Sequence, residues 1–128
     1  MSITDAPAEP TAVEIADVLT KAEAHVERVG HTKGYLYDEE EADKGTPLTD
    51  CPVCMWGAIN FAVHGEPRPS KRGTAAEFAL AQAAGEAVRK HLDVRFLSDW
   101  SDAKGRQKRQ VAKALRDTAA SLRAEVAK

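Results

Sequence analysis

Two cysteines in the pattern Cys51-Pro-Val-Cys54 are the residues whose type and spacing come nearest to chemistry in this 128-residue chain. A C-x-x-C pair at a helix N-terminus can be redox-active, because the helix dipole favours a thiolate there. In a thioredoxin-like protein that chemistry needs a βαβ setting, and the surrounding sequence offers none. The same pair is half of a zinc set, to be completed by two of His25, His31, His64 and His91, with His31 and His64 the pair considered. No second C-x-x-C and no closely spaced histidine pair accompany it. Against both stands a plainer reading, in which Cys54 is a small buried hydrophobe and Cys51 its neighbour at a helix cap. The plainer reading is favoured, with no cofactor expected. A nucleophilic Cys54 would need a base and an orienting third group. No set of nucleophile, base and oxyanion donors can be assembled from the sequence, so the expectation is a protein that is not an enzyme.

Charge is the second candidate source of function. The net charge is only -2, yet residues 1–50 carry 12 acids against 4 bases and residues 51–128 carry 8 acids against 14 bases. The run Lys104-Gly-Arg-Gln-Lys-Arg-Gln-Val-Ala-Lys113, extended by Arg116, places Arg106, Lys108, Arg109 and Lys113 along the start of a helix, where they could meet phosphates. The run has no interleaved aromatics, and a solvated face or pairing with the acidic half is favoured over nucleic acid. Asp38-Glu-Glu-Glu41-Ala-Asp43 lacks the alternating ligands and central glycine of a calcium loop and reads as a solvated turn. Tyr35 and Tyr37, if extended, point to one face and either dock on the core or offer a contact surface to a partner.

The elements that must position these residues are helical. The composition, 43% hydrophobic with abundant alanine and 5% aromatic, favours close-packed helices. Thr11-Ala-Val-Glu14 is a capping box, followed by Ile15, Val18, Leu19, Ala22, Val26 and Val29 at helical spacing and by Gly30 as a stop. A second helix is predicted from near Asp50 or Cys51 to His64, with Pro52 in its first turn and Gly65 at its end. It is apolar all round and so is expected at the centre, with Gly57 marking the close crossing of another helix. Thr74-Ala-Ala-Glu77 opens a third, with Phe78, Ala81, Gly85, Val88 and Leu92 in one stripe. The last, from about Gln107, carries Val111, Leu115, Thr118, Leu122 and Val126 as its seam. Residues 94–100 read as a connector over the core, and Ser101 or Asp102 as the start of a preliminary turn.

The predicted fold is therefore mainly α: a compact four-helix domain over residues 11–128, behind a disordered tail over 1–10. The long loop over 31–50 has room for a short β-hairpin. No apolar run reaches the roughly 20 residues of a membrane span, the N-terminus is not a secretory signal, and two cysteines make no disulfide framework. A cytoplasmic location is expected.

Three landmarks, Gly30-His-Thr-Lys-Gly34, Cys54-Met-Trp-Gly-Ala-Ile59 and Leu97-Ser-Asp-Trp-Ser-Asp-Ala-Lys-Gly-Arg106, resemble in order and spacing a family of small uncharacterised proteins of actinobacteria and their phages. The resemblance covers about residues 12–125. His31 stands where that pattern has Trp, Ser101 where it has Asn, Lys104 where it has Pro, and Gln107 where it has Thr. Cys54 matches the pattern's cysteine and Cys51 matches nothing in it. What the resemblance implies is an actinobacterial or phage origin and a cytoplasmic setting; it brings no activity with it. The leading expectation is a small helical binding or regulatory protein that engages another protein through Tyr35, Tyr37 and the basic face of Arg106, Lys108, Arg109 and Lys113. The alternatives are nucleic-acid binding through residues 104–116, and a zinc-stabilised domain using Cys51 and Cys54 with His31 and His64.

Overall fold

A computed structural model describes residues 9–128, so most of the expected tail over 1–10 lies outside the described residues. The chain folds into α1 (Ala12–Val29), α2 (Glu39–Asp43), a 3-10 turn (Leu48–Asp50), α3 (Met55–His64), α4 (Ala75–Leu92), α5 (Leu97–Asp102) and α6 (Lys108–Val126). The four helices expected from periodicity are α1, α3, α4 and α6. The two short ones, α2 and α5, occupy stretches that read as charged turn and connector.

Both capping boxes form. Thr11 Oγ1 accepts from the Glu14 amide at 3.1 Å while Glu14 Oε1 accepts from the Thr11 amide at 2.9 Å, and Thr74 with Glu77 repeats the arrangement at the start of α4. Gly30 closes α1 at φ 99°, a conformation that favours glycine, and its amide donates to Val26 O at 2.8 Å. At the head of α6, Gln107 stands in for the usual short polar cap: its amide donates to Gln110 Oε1 at 2.8 Å.

The hub of the fold is α1, which packs against α3, α4 and α6. This corrects the expectation that the uniformly apolar helix, α3, would be central. Helix α3 has only 10 residues, too few to span the molecule, whereas α1 has 18 and buries Ala16, Val18, Leu19, Ala22 and Val26. Against them lie Met55, Ala58 and Ile59 of α3, Val88 of α4, and Val111 and Leu115 of α6. Val126, expected in the seam of α6, is 55% exposed because the helix there has run past the core.

Helix α3 starts later than predicted, at Met55 instead of Asp50 or Cys51. Pro52 and Val53 are held extended by the long loop, which forms bridges on both sides of Val53, parallel from His31 and antiparallel from Tyr37. Val53 N donates to Gly30 O at 3.0 Å and Val53 O accepts from Thr32 N at 2.9 Å, so the backbone is committed before a helix can begin. No strand forms among the described residues; these bridges stand where a hairpin had room. Gly57 does mark a close crossing, of the loop and not of a helix. A Cβ there would sit 1.9 Å from Leu36 O. Ser101 and Asp102, expected to start a turn, end α5 instead, which lids the core with Leu97 at 3% exposure.

Candidate functional site

The three landmark segments meet at the start of α3. Cys54 is the helix N-cap, extended at φ -86° and ψ -179°, and its Sγ accepts from the Gly57 amide at 3.4 Å. The Met55 amide is taken by Ser101 Oγ of α5 at 3.1 Å. His31 lies between the two segments, with Nδ1 3.2 Å from Val53 O and Nε2 3.0 Å from Ser101 O. A neutral imidazole donates from one nitrogen only, so either ring proton ties His31 to one of these carbonyls. This junction locks the loop, α3 and α5 together; its polar atoms are spent on backbone.

The cysteines are correspondingly quiet. Both are free thiols and buried. Cys51 Sγ lies 3.4 Å from Pro47 O, as a weak donor into the 3-10 turn. Burial pushes its thiol up, reinforced by the carboxylates of Asp38, Glu41 and Asp50. Burial also pushes the Cys54 thiol up, against the lowering pull of the Gly57 and Trp56 amides. The helix N-terminus that was to favour a thiolate is outweighed by desolvation. His64 is remote in environment from this junction: it packs beside the Phe78 ring, centroids 5.1 Å apart. Among the described residues no group of three or more His, Cys, Asp or Glu side chains is arranged to hold a metal ion. The four residues considered for zinc, Cys51, Cys54, His31 and His64, are thus not brought together as one set.

The basic run is brought against the acidic half instead of standing free. Arg106 lies over the Trp100 ring at 3.8 Å from its centroid and donates from Nε to Trp100 O at 2.8 Å. Lys108 Nζ donates to Glu27 O at 3.2 Å, at the C-terminal end of α1 where a cation complements the dipole. Lys113 pairs with Asp117 one turn on. Arg116 pairs with Glu23 at 3.0 Å and Arg123 with Asp17 at 3.0 Å, so α1 and α6 run antiparallel with opposite charges facing across the seam. Glu23 is nonetheless held above the usual carboxylate range, chiefly by burial, with Arg116 opposing. Of the residues nominated as a phosphate-binding face, Arg109 alone makes no hydrogen bond or ion pair within the described residues.

The tyrosines part company. Residues 33–36 are a series of bends with Gly34 at φ 85°, so the alternation that would put Tyr35 and Tyr37 on one face does not exist. Tyr37 packs on the core and Tyr35 is 61% exposed, on the rim of an acidic hollow with Asp38 and Glu39. Neither joins the basic face: Arg106 and Lys113 line a separate hollow beside Trp100. Tyr35 and Tyr37 thus sit in different surroundings, and the hollow lined by Arg106 and Lys113 includes neither of them.

What sequence reasoning missed is a groove between α4 and α6. It encloses about 530 Å³ over a floor of Ile15, Ala87 and Leu122, with Glu86, Lys90 and Glu125 among its rim residues. It exists because α4 and α6 each pack more closely on α1 than on each other, and because small residues, Ala83 and Ala87, face it from α4. A signal was present. Ile15 and Leu122 are apolar positions at the edges of their helical stripes, and such edges are where a three-helix junction leaves a gap.

The sequence profile of a family of unknown function (DUF6197) matches residues 10–121. No curated protein and no solved structure matches the chain.

Proposed function

Since the chain belongs to that family of unknown function, which lends it no activity, we propose from the geometry that it is a non-catalytic helical binding protein that engages another protein through the α4–α6 groove. One observation carries the reading: an apolar floor left open between two long helices and rimmed by both signs of charge. Such a groove suits an amphipathic helix, whose apolar row enters while its flanking charges meet Lys90, Glu86 and Glu125. Phosphate backbones would meet the two carboxylates, which disfavours nucleic acid there. The quiet thiols and the spent polar atoms of His31 support the non-catalytic part of the reading. A regulatory role follows if the partner's groove-bound helix is otherwise active. The landmark resemblance and the two free, buried cysteines support a cytoplasmic setting in an actinobacterium, or in one infected by a phage.

The test is site-specific photocrosslinking in the producing cell. A photoreactive side chain at Ser121, exposed beside the groove, is expected to trap a defined protein, and the same group at Lys71, in the loop before α4, is not. The trapped species should vanish with Ala87→Glu, which puts a carboxylate into the floor. Failure to trap from Ser121, or trapping indifferent to Ala87→Glu, defeats the proposal.

A further inference from the structure

On the other side of α4 lies a second concavity, of about 330 Å³, at the low end of the roughly 300–1,000 Å³ found for small-ligand pockets. Trp56, Asn60 and His64, four residues apart along α3, supply one wall, and Phe78 and Gln82 of α4 line it opposite. The position of Trp56 is set by Gly85: a Cβ at Gly85 would lie 2.0 Å from Trp56 Cη2, so the indole rests against bare helix backbone.

Two polar groups in this wall have no partner in the fold. Asn60 is 6% exposed and lines the pocket; its carboxamide makes no hydrogen bond among the described residues and, unlike the ring nitrogens of His64, keeps access to the pocket. His64 has both ring nitrogens buried and unbonded. Their helix is otherwise apolar, and the carboxamide of Asn60 puts a donor and an acceptor on its pocket side.

The chemistry of the lining narrows what that molecule is. Trp56 and Phe78 offer π faces, which take flat rings without regard to their substituents. The carboxamides of Asn60 and Gln82 each present a donor beside an acceptor, the pattern that reads the edge of a heterocyclic base. No Lys, Arg, Asp or Glu lines the pocket, so a phosphate or carboxylate entering it would be buried without a counter-charge. We infer that the pocket between α3 and α4 binds a neutral planar heteroaromatic molecule of the nucleobase or nucleoside kind, stacked on Trp56 and Phe78 and read by Asn60 and Gln82. This inference stands apart from the α4–α6 groove, which shares no lining residue with it.

The experiment is nuclear magnetic resonance titration of the full chain with adenine, adenosine and uridine. At least one is expected to give saturable shifts of the Asn60 and Gln82 side-chain amides and the Trp56 indole N–H. Gln82 is exposed, so Gln82→Ala should leave the melting temperature unchanged and weaken that probe tenfold or more. Gly85→Ala, which drives a methyl into the indole, should abolish binding, and Gln82→Ala keeps the test decisive should that variant not fold. Adenosine 5′-phosphate should bind no better than adenosine. The inference is overturned by absent saturation for all three probes at millimolar concentration, by unchanged affinity in Gln82→Ala, or by preference for the phosphorylated probe.

Discussion

His25 shows how one side chain can couple this fold to pH. It is 3% exposed and stacked on Phe61, ring centroids 3.6 Å apart and planes 8° from parallel. An Arg28 guanidinium nitrogen lies 3.5 Å from Nδ1, which makes Nδ1 the acceptor and leaves the proton on Nε2, buried with no partner. Burial, helped by Arg28 and opposed by Asp50, lowers its pKa from 6.5 to about 4. The unfolded chain therefore takes up this proton more readily than the folded one, so the associated stability is whole above pH 6.5 and is lost as pH falls towards 4. At 1.36 kcal/mol per pH unit the loss is on the order of 3 kcal/mol. His25→Leu removes the ionisable group and the orphan Nε2 together. The variant keeps stability that the unaltered protein loses, so its stability relative to the unaltered protein in denaturant melts should rise by about 3 kcal/mol as pH falls from 6.5 to 4. A constant difference across that window would show that His25 is not the coupled group.

At the scale of elements, the α1–α6 pair sets the order of importance between greasy and charged contacts. Leu115 is fully buried against α1, while Arg116, its neighbour, bridges to Glu23 with its side chain about half exposed. Core leucines cost about 2–5 kcal/mol when cut to alanine, and exposed ion pairs about 0–1 kcal/mol. Leu115→Ala should lower the urea midpoint severely, and Arg116→Ala should barely move it; equal losses would mean that the seam is electrostatic. The same pair explains what could be foreseen from the sequence. Capping boxes at Thr11 and Thr74 and the stripe of Ile15 to Val26 are local rules, obeyed within one helix, and they give the long helices their starts and buried faces. The late start of α3 depends on Val53 bonding to Gly30 and Thr32, more than twenty positions away, and no local rule contains that. The same holds for Gly57 against Leu36 O and for the separation of Tyr35 from Tyr37. Both pockets are spaces between helices, so the residues lining them are legible only as odd members of a stripe: Asn60 and His64 amid apolar neighbours, Leu122 at an edge.

For the molecule as a whole, the question is whether its uneven charge faces outward or inward. The geometry sets much of it against itself: at the surface of one antiparallel seam Asp17 meets Arg123 and Glu23 and Glu27 meet Arg116, while Lys108 Nζ donates to the Glu27 carbonyl. Duplex DNA binding separates the two cases, because affinity falls with salt on a log–log slope of about -0.9 per phosphate neutralised. If Lys104, Arg106, Lys108, Arg109, Lys113 and Arg116 all faced outward, the slope would approach about -5.4. With Arg106, Lys108, Lys113 and Arg116 each held by a partner in the fold, and the side chains of Lys104 and Arg109 without a hydrogen bond or ion pair among the described residues, a slope of about -2 and weak binding even at low salt are expected. Replacing both carboxylates that hold Arg116, as Glu23→Gln with Glu27→Gln, frees one cation and should steepen the slope by about 0.9. Salt titrations by fluorescence anisotropy would measure both numbers. A steep slope in the unaltered protein, unmoved by the double substitution, would mean that the basic helix already faces a polyanion and that its contacts with α1 yield to one.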